Sequence, residues 1–162
     1  MTQKITPVLW FNMNGQEAAE FYTSLLPDSR IDKVIHASTD TPSGPKGYPM
    51  VIDFTLAGQK YAALNGGPHF TPNEAVSFQV VTEDQEETDR LWNAIVGNGG
   101  EESVCGWCKD KWGFSWQITP RLLIDLLVDE DTDRAARGFA AMMKMKKIDI
   151  AAIEAAIDSV PA

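Results

Sequence analysis

The residues of this chain best equipped for chemistry lie in the run Cys105-Gly-Trp-Cys-Lys-Asp-Lys-Trp-Gly-Phe-Ser-Trp-Gln117. Two thiols spaced Cys-x-x-Cys could form a redox dithiol or supply half of a zinc site. A redox pair draws its low thiol pKa from a helix N-terminus, whereas Cys105 and Cys108 end a strand-like segment and lead into a polar turn. Structural zinc would need two more ligands, and the chain has only His36 and His69 to offer, in separate segments. A single reactive thiol at Cys105 facing a cavity fits better, against the default of buried structural cysteine. Trp107, Trp112 and Trp116 are three of the five tryptophans. Such clustering of large side chains with one polar handle needs a core or a guest to face, so the stretch reads as a pocket floor or a sheet–helix core.

The remaining candidates are carboxylates and imidazoles. Asp53 and Asp125 interrupt the apolar runs Val51-Ile-Asp-Phe54 and Leu123-Ile-Asp-Leu126. Alternation places each on a wet face, and either would act as a base if it pointed into an apolar hollow that raised its pKa. His36 and His69 read first as surface or structurally hydrogen-bonded residues.

A strand from about Thr6 to Met13 is followed by Asn14-Gly-Gln-Glu17, a helix cap with an acid three residues on, and a helix stopped by Pro27. Extended segments follow at 30–39, 49–57 and 59–65. The order then recurs: a strand at 75–81, a capped helix opening at Thr82 and running to Val96, and strands near 101–107, 114–119 and 122–128. The helices match at an offset of 70 residues, pairing Phe21 with Leu91, Tyr22 with Trp92, Leu25 with Ile95 and Leu26 with Val96. Two helices close the chain: Thr132–Lys144 behind Asp129-Glu-Asp131, and Ile150–Val160 behind Asp149. Their Met142, Met143, Ile153 and Ile157 stripes read as core or an oligomer seam.

At 162 residues and 44% hydrophobic, the chain has length for one globular domain and no apolar run that would cross a bilayer. Its start lacks the apolar core of a secretion signal, so cytoplasmic residence is expected. A net charge of −9 argues against nucleic acid as partner. It could attract a cationic small molecule, though it serves solubility as well.

The doubled strand–helix–three-strand unit resembles the vicinal oxygen chelate superfamily of glyoxalases, dioxygenases and bleomycin resistance proteins. The resemblance sharpens at Asn12-Met-Asn14 through Phe21-Tyr22, Leu64-Asn-Gly-Gly-Pro68 with Phe70, and Glu74-Ala-Val-Ser77. It continues at Asp84-Gln-Glu86 through Leu91-Trp92, Cys105-Gly-Trp107 with Lys109-Asp110, and Trp116-Gln-Ile118. These look like the PhnB-like branch, whose family name is 3-demethylubiquinone-9 3-methyltransferase. The resemblance implies an α+β fold of two tandem βαβββ modules with cupped mixed sheets, at about 5–66 and 74–129. They make one domain over 1–130, with a helical extension over 131–162. It implies a homodimer, with the C-terminal helices as candidates for its seam. Metal-dependent relatives hold a cation at strand positions that fall here on Pro7, Ala62, the stretch 75–77 and Gln117. Only Gln117 could ligate, and a lone neutral amide cannot hold such a cation against water, so no metal and no other cofactor is expected.

Methyl transfer from S-adenosylmethionine would need a glycine-rich turn between a strand and a helix, and neither Gly66-Gly67 nor Gly99-Gly100 opens a helix. The expectation is a small-molecule binder or metal-independent enzyme, its ligand lined by Trp10, Asn12, Asn65, His69, Phe70, Cys105, Trp107, Trp116 and Gln117. Cys105, Gln117 and His69 are the catalytic candidates. The alternatives are a methyltransferase, a drug-sequestering protein, and a metal-dependent lyase, isomerase or dioxygenase.

Overall fold

Leu9 and Phe11 alternate with Val8 and Trp10 along β1 (Val8–Phe11), so one side of the strand is buried and the other is not. The helix α1 (Gly15–Leu25) follows, then β2 (Arg30–His36), β3 (Pro49–Leu56) and β4 (Gln59–Asn65). This computed structural model describes residues 3–159 and divides between Pro72 and Asn73. In the first unit the sheet order is β1-β4-β3-β2, with β1 parallel to β4 and the other pairs antiparallel. Ala18, Ala19, Tyr22 and Leu25 form the buried stripe of α1. Tyr22 meets Phe54 at a ring separation of 6.3 Å, and Phe54 stacks on Tyr61 at 5.5 Å.

The second unit repeats this order with β5 (Ser77–Thr82), α2 (Gln85–Gly97), β6 (Glu101–Glu102), β7 (Trp107–Lys109) and β8 (Ser115–Pro120). Its sheet runs β5-β8-β7-β6, again with the first pair parallel and the rest antiparallel. Thr88, Leu91, Trp92 and Ile95 are buried on α2, and Tyr22/Trp92 and Leu25/Ile95 keep the offset read in the sequence. The duplicated unit, the α+β class and the C-terminal helices are as expected for the vicinal oxygen chelate fold.

One element differs. The strand expected over 122–128 is instead the helix α3 (Arg121–Leu126). Its Leu123 and Leu126 are buried, a helical i, i+3 spacing that a short apolar run disguises. Asp125 is therefore an exposed helix residue and not a strand carboxylate. The strand expected over 101–107 is broken by a turn into β6 and β7.

The chain continues through α4 (Thr132–Met142) and α5 (Ile150–Asp158), capped by Asp131 and Asp149 through the backbone N–H groups of Arg134 and Ala152. Val160, expected as the last residue of α5, lies outside the described residues. Leu123, Leu126, Ile148, Ile153 and Ile157 make a second core, against which Phe139, Met142 and Met145 pack. Met143 is exposed, so the expected stripe is core only in part. Gly138 lets α4 approach closely, since an added Cβ would lie 2.5 Å from Leu126 and 3.0 Å from Ile157. Among the described residues no helix is long and apolar enough to cross a membrane.

Candidate functional site

Each sheet covers one face with its helix and leaves the other open. In the first unit the open face carries Trp10, whose indole N–H donates to the Gly67 carbonyl at 2.8 Å. The ring lies across Gly66, where an added Cβ would come within 2.3 Å of it, so only glycine fits beneath the indole. Phe70, 67% exposed, meets Trp10 edge-on at 4.8 Å. His69 is exposed in the adjoining turn, and Asn12 is exposed just beyond β1. Asp53, paired with Ala62, is half-buried on the open face as well.

Asn65 has a different role from the one expected. It is fully buried, its Oδ1 accepts the Gly15 N–H at 2.8 Å and its Nδ2 donates to the Pro49 carbonyl at 2.7 Å. Both ends of the amide are engaged by backbone. Asn14, expected to cap α1, makes no side-chain cap hydrogen bond; Asn65 supplies that acceptor from β4.

In the second unit period-two alternation puts Phe78 and Trp116 on the helix side and Ser77, Gln79, Ser115, Gln117 and Thr119 on the open side. Trp107, directly opposite Gln117 in the β7–β8 ladder, shares that open face. Gln117 Nε2 donates to Ser77 Oγ at 2.8 Å, and Gln79 Nε2 donates to Thr119 Oγ1 at 3.4 Å. The two diagonal bonds align a short row of amides and hydroxyls beside the indole. Lys109 and Glu74 pair at 2.6 Å, and the hydrogen bond from the ammonium holds the Glu74 carboxyl below its ordinary range. A hollow of about 120 Å³ lies among Trp107, Lys109, Glu74, Glu101 and Ser115. A wider groove of about 630 Å³ runs between α2 and α5, where the half-buried Asp89–Lys147 pair, Asp149 and Glu154 alternate with Ile148, Ile150 and Ala151 and no aromatic ring faces it. The smaller hollow is the one beside the aromatic and amide groups.

Trp116 is on the wrong side of its strand for a guest. It is 1% exposed, packs on Phe78 at 4.9 Å and donates its indole N–H to Asp110 Oδ2 at 2.9 Å. Asp110 Oδ1 accepts from the backbone N–H groups of Trp112 and Phe114, both at 3.0 Å, so this buried carboxylate organises the β7–β8 turn. Burial first, and the Asp110 charge second, push the Cys108 thiol up to about 12, which keeps it protonated and unreactive. Cys105 is half-buried in the turn before Trp107.

Of the expected lining residues, Trp10 and Phe70 meet in the first unit with His69 in the adjoining turn, and Trp107 stands opposite Gln117 in the second with Cys105 in the turn before it. Ser77, Gln79, Ser115, Thr119 and Lys109 were not anticipated. Their signal was present in the alternation Ser77-Phe-Gln79-Val-Val81 and Ser115-Trp-Gln117-Ile-Thr119.

The residues do not fit a divalent cation. Of the positions where metal-dependent relatives place ligands, only Ser77 and Gln117 carry side-chain donors; both are neutral and they bond each other. Among the described residues no group of three His, Cys, Asp or Glu side chains converges.

The family model for 3-demethylubiquinone-9 3-methyltransferase matches residues 3–119. A solved putative 3-demethylubiquinone-9 3-methyltransferase, PhnB protein, from Bacillus cereus is 32% identical. The match covers 73% of this chain and 99% of that one, with a TM-score of 0.65. A solved Pseudomonas aeruginosa protein is 21% identical over 74% of this chain and 98% of its own, with a TM-score of 0.59. A glyoxalase-related enzyme from Fulvimarina pelagi is similar at 14% identity over 75% and 91% of the two chains, with a TM-score of 0.49. No curated protein matches. The family match ends within β8, so α3, α4 and α5 lie outside it. With its model spanning both βαβββ units, the chain belongs to the PhnB-like 3-demethylubiquinone-9 3-methyltransferase family.

Proposed function

We propose that this protein binds a flat, amphipathic organic guest on the open face of the second sheet, by aromatic contact and amide hydrogen bonds and without a metal ion. The observation that carries the reading is Trp107 standing opposite Gln117 beside the Ser77–Gln117 and Gln79–Thr119 bonds, at the edge of a hollow. An indole offers a face to a ring system, and the neighbouring amides orient a carbonyl or amine on its rim. Trp10 with Phe70 offers a second aromatic surface in the first half. The protein acts as a homodimer in the cytoplasm on this reading; the edge strand β1, with Val8 59% exposed, supports pairing with another chain.

Methyl transfer, as the family name has it, finds little support in these residues. Gly66-Gly67 follow β4 and lead into a turn, and Gly99-Gly100 follow α2, so neither offers a helix N-terminus to a nucleotide-like cofactor. A second reading, sequestration of a cationic guest, draws support from charge: seventeen of the twenty-three acidic residues lie after Pro72.

Calorimetric titration with 2-naphthamide, a neutral bicyclic amide, tests the first reading. Binding to the native protein is expected, with roughly tenfold or greater loss in Trp107→Ala and in Gln117→Leu. Absence of binding, or unchanged affinity in Trp107→Ala, would remove it. Binding of a 2-naphthylmethylammonium cation alone, weakened by salt, would favour the second reading, and a thermal shift with S-adenosylmethionine would favour the family name.

A further inference from the structure

The chain enters β7 through a two-residue turn, Cys105-Gly106, closed by the Trp107 N–H on the Val104 carbonyl at 3.0 Å. Both central residues have positive φ, 57° and 80°, the signature of a type I′ hairpin turn. Cysteine is a poor occupant of that conformation, because its Cβ crowds the neighbouring carbonyl. In an ordinary hairpin the two central N–H groups face water. Here consecutive carbonyls of the C-terminal extension accept both, Met145 from Cys105 and Lys146 from Gly106, each at 2.8 Å.

Further contacts lock the pair. Ile148 is 1% exposed, and a Cβ at Gly106 would lie 3.1 Å from it and 2.9 Å from the Ile118 carbonyl. The Gly106 carbonyl accepts the Ile118 N–H at 2.8 Å, and Lys146 pairs with Glu102 at 3.0 Å.

The first unit has a turn of the same kind, Ala57-Gly58, with φ of 47° and 77°. Its central N–H groups are taken by Ser29 Oγ and the Asp28 carbonyl, both at 2.9 Å and both within the stretch that the family model matches. In the second unit that task has passed to residues 145–148, outside the family stretch.

We propose that the C-terminal extension is the positioning element of the binding face: residues 145–148 hold the Cys105-Gly106 turn and thereby fix Trp107 opposite Gln117. This rests on the reading of Trp107 as a guest contact. Binding strength then depends on Ile148, which faces a turn and not a guest.

Protein carrying 5-fluorotryptophan, with the Trp107 resonance assigned through Trp107→Phe, tests the proposal before any ligand is added. Ile148→Val and Ile148→Ala should shift or broaden the Trp107 signal in graded steps and leave that of Trp10 in place. Affinity for 2-naphthamide should fall in the same order, by roughly tenfold in the larger truncation. A Trp107 signal unmoved by either substitution overturns the proposal, as does a moved signal with full affinity. Should the native protein not bind 2-naphthamide, the proposed function fails, while the fluorine signal still decides whether the extension positions Trp107. If Ile148→Ala does not fold, Ile148→Val decides by the same two readouts.

Discussion

Helix α1 is capped from fifty residues away, by the buried amide of Asn65 on the last position of β4. Helix α2 is capped by its own neighbour Asp84, whose carboxylate accepts the Glu87 N–H at 2.8 Å while Glu87 accepts the Glu83 N–H at 2.9 Å. The position that matches Asn65 in the second ladder is Pro120, which has no side-chain donor or acceptor. Identical strand order therefore rests on non-identical polar contacts. What the halves share is the apolar stripe of the helix and the alternation of the strands; what they do not share is how each orphaned backbone group finds a partner.

The outer strands differ as well. β2 and β3 have 7 and 8 residues, β6 and β7 only 2 and 3. Where the second sheet is short, backbone from the C-terminal extension supplies acceptors to the Cys105-Gly106 turn. The first half is a sheet and helix that supply their own partners. The second draws on elements outside the family stretch.

The largest expected effect lies in the second half. Asp110→Ala leaves the N–H groups of Trp112, Phe114 and the Trp116 indole without their shared acceptor, and should lower unfolding free energy by about 3 kcal/mol or more in urea titration. Retention of full stability would show that the turn does not depend on this carboxylate.

The two caps give a direct contrast. Asn65→Ala orphans the Gly15 N–H and the Pro49 carbonyl inside the protein and should cost about 2–3 kcal/mol, whereas Asp84→Ala, at an exposed cap, should cost about 1 kcal/mol. Equal losses would erase the distinction between remote and local capping. Gly66→Ala, which drives a methyl into the Trp10 ring, should cost about 1–3 kcal/mol and change the fluorescence of that indole.

Cysteine chemistry separates the turn from the core. Cys105 should react with a disulfide reagent in the folded protein while Cys108 waits for unfolding. The Cys108 thiol is raised in the fold, so above about pH 8.5 the unfolded chain loses this proton and the folded chain keeps it. Its contribution to stability thus falls as pH rises, and Cys108→Ser should flatten the alkaline limb of the stability profile.

The smallest effect concerns Asp32, whose carboxyl is held below its ordinary range by hydrogen bonds from the Thr55 hydroxyl, then from Lys60. That stabilisation is complete above the unfolded carboxylate pKa of about 3.9 and fades as pH falls further. Asp32→Asn should cost no more than about 1 kcal/mol at neutral pH and reduce the acid sensitivity of the first half.

Local pattern disclosed the duplication, the helix offset, the acidic turn ending at Asp131, the cap Asp149 and the C-terminal helices, because each depends on residues within one or two turns of one another; the helix expected to open at Thr82 is instead capped by Asp84, and Thr82 ends β5. The same pattern also marked the tryptophan-rich run as the wall either of a pocket or of the core. What it could not assign was which side of the wall each residue faces. Trp107 and Trp116 read alike in the sequence, yet one lies on the open face and the other in the core, since a turn between β7 and β8 sets the register. Asn65 read as a ligand contact because its partners, Gly15 and Pro49, are distant in the chain. Leu122–Val128 read as a strand because a short apolar run has no period of its own until something packs against it. Local pattern determined the elements and their order. The fate of each polar group, whether toward backbone, neighbour or guest, was decided by contacts between segments far apart in the chain, and no pattern within one segment encodes them.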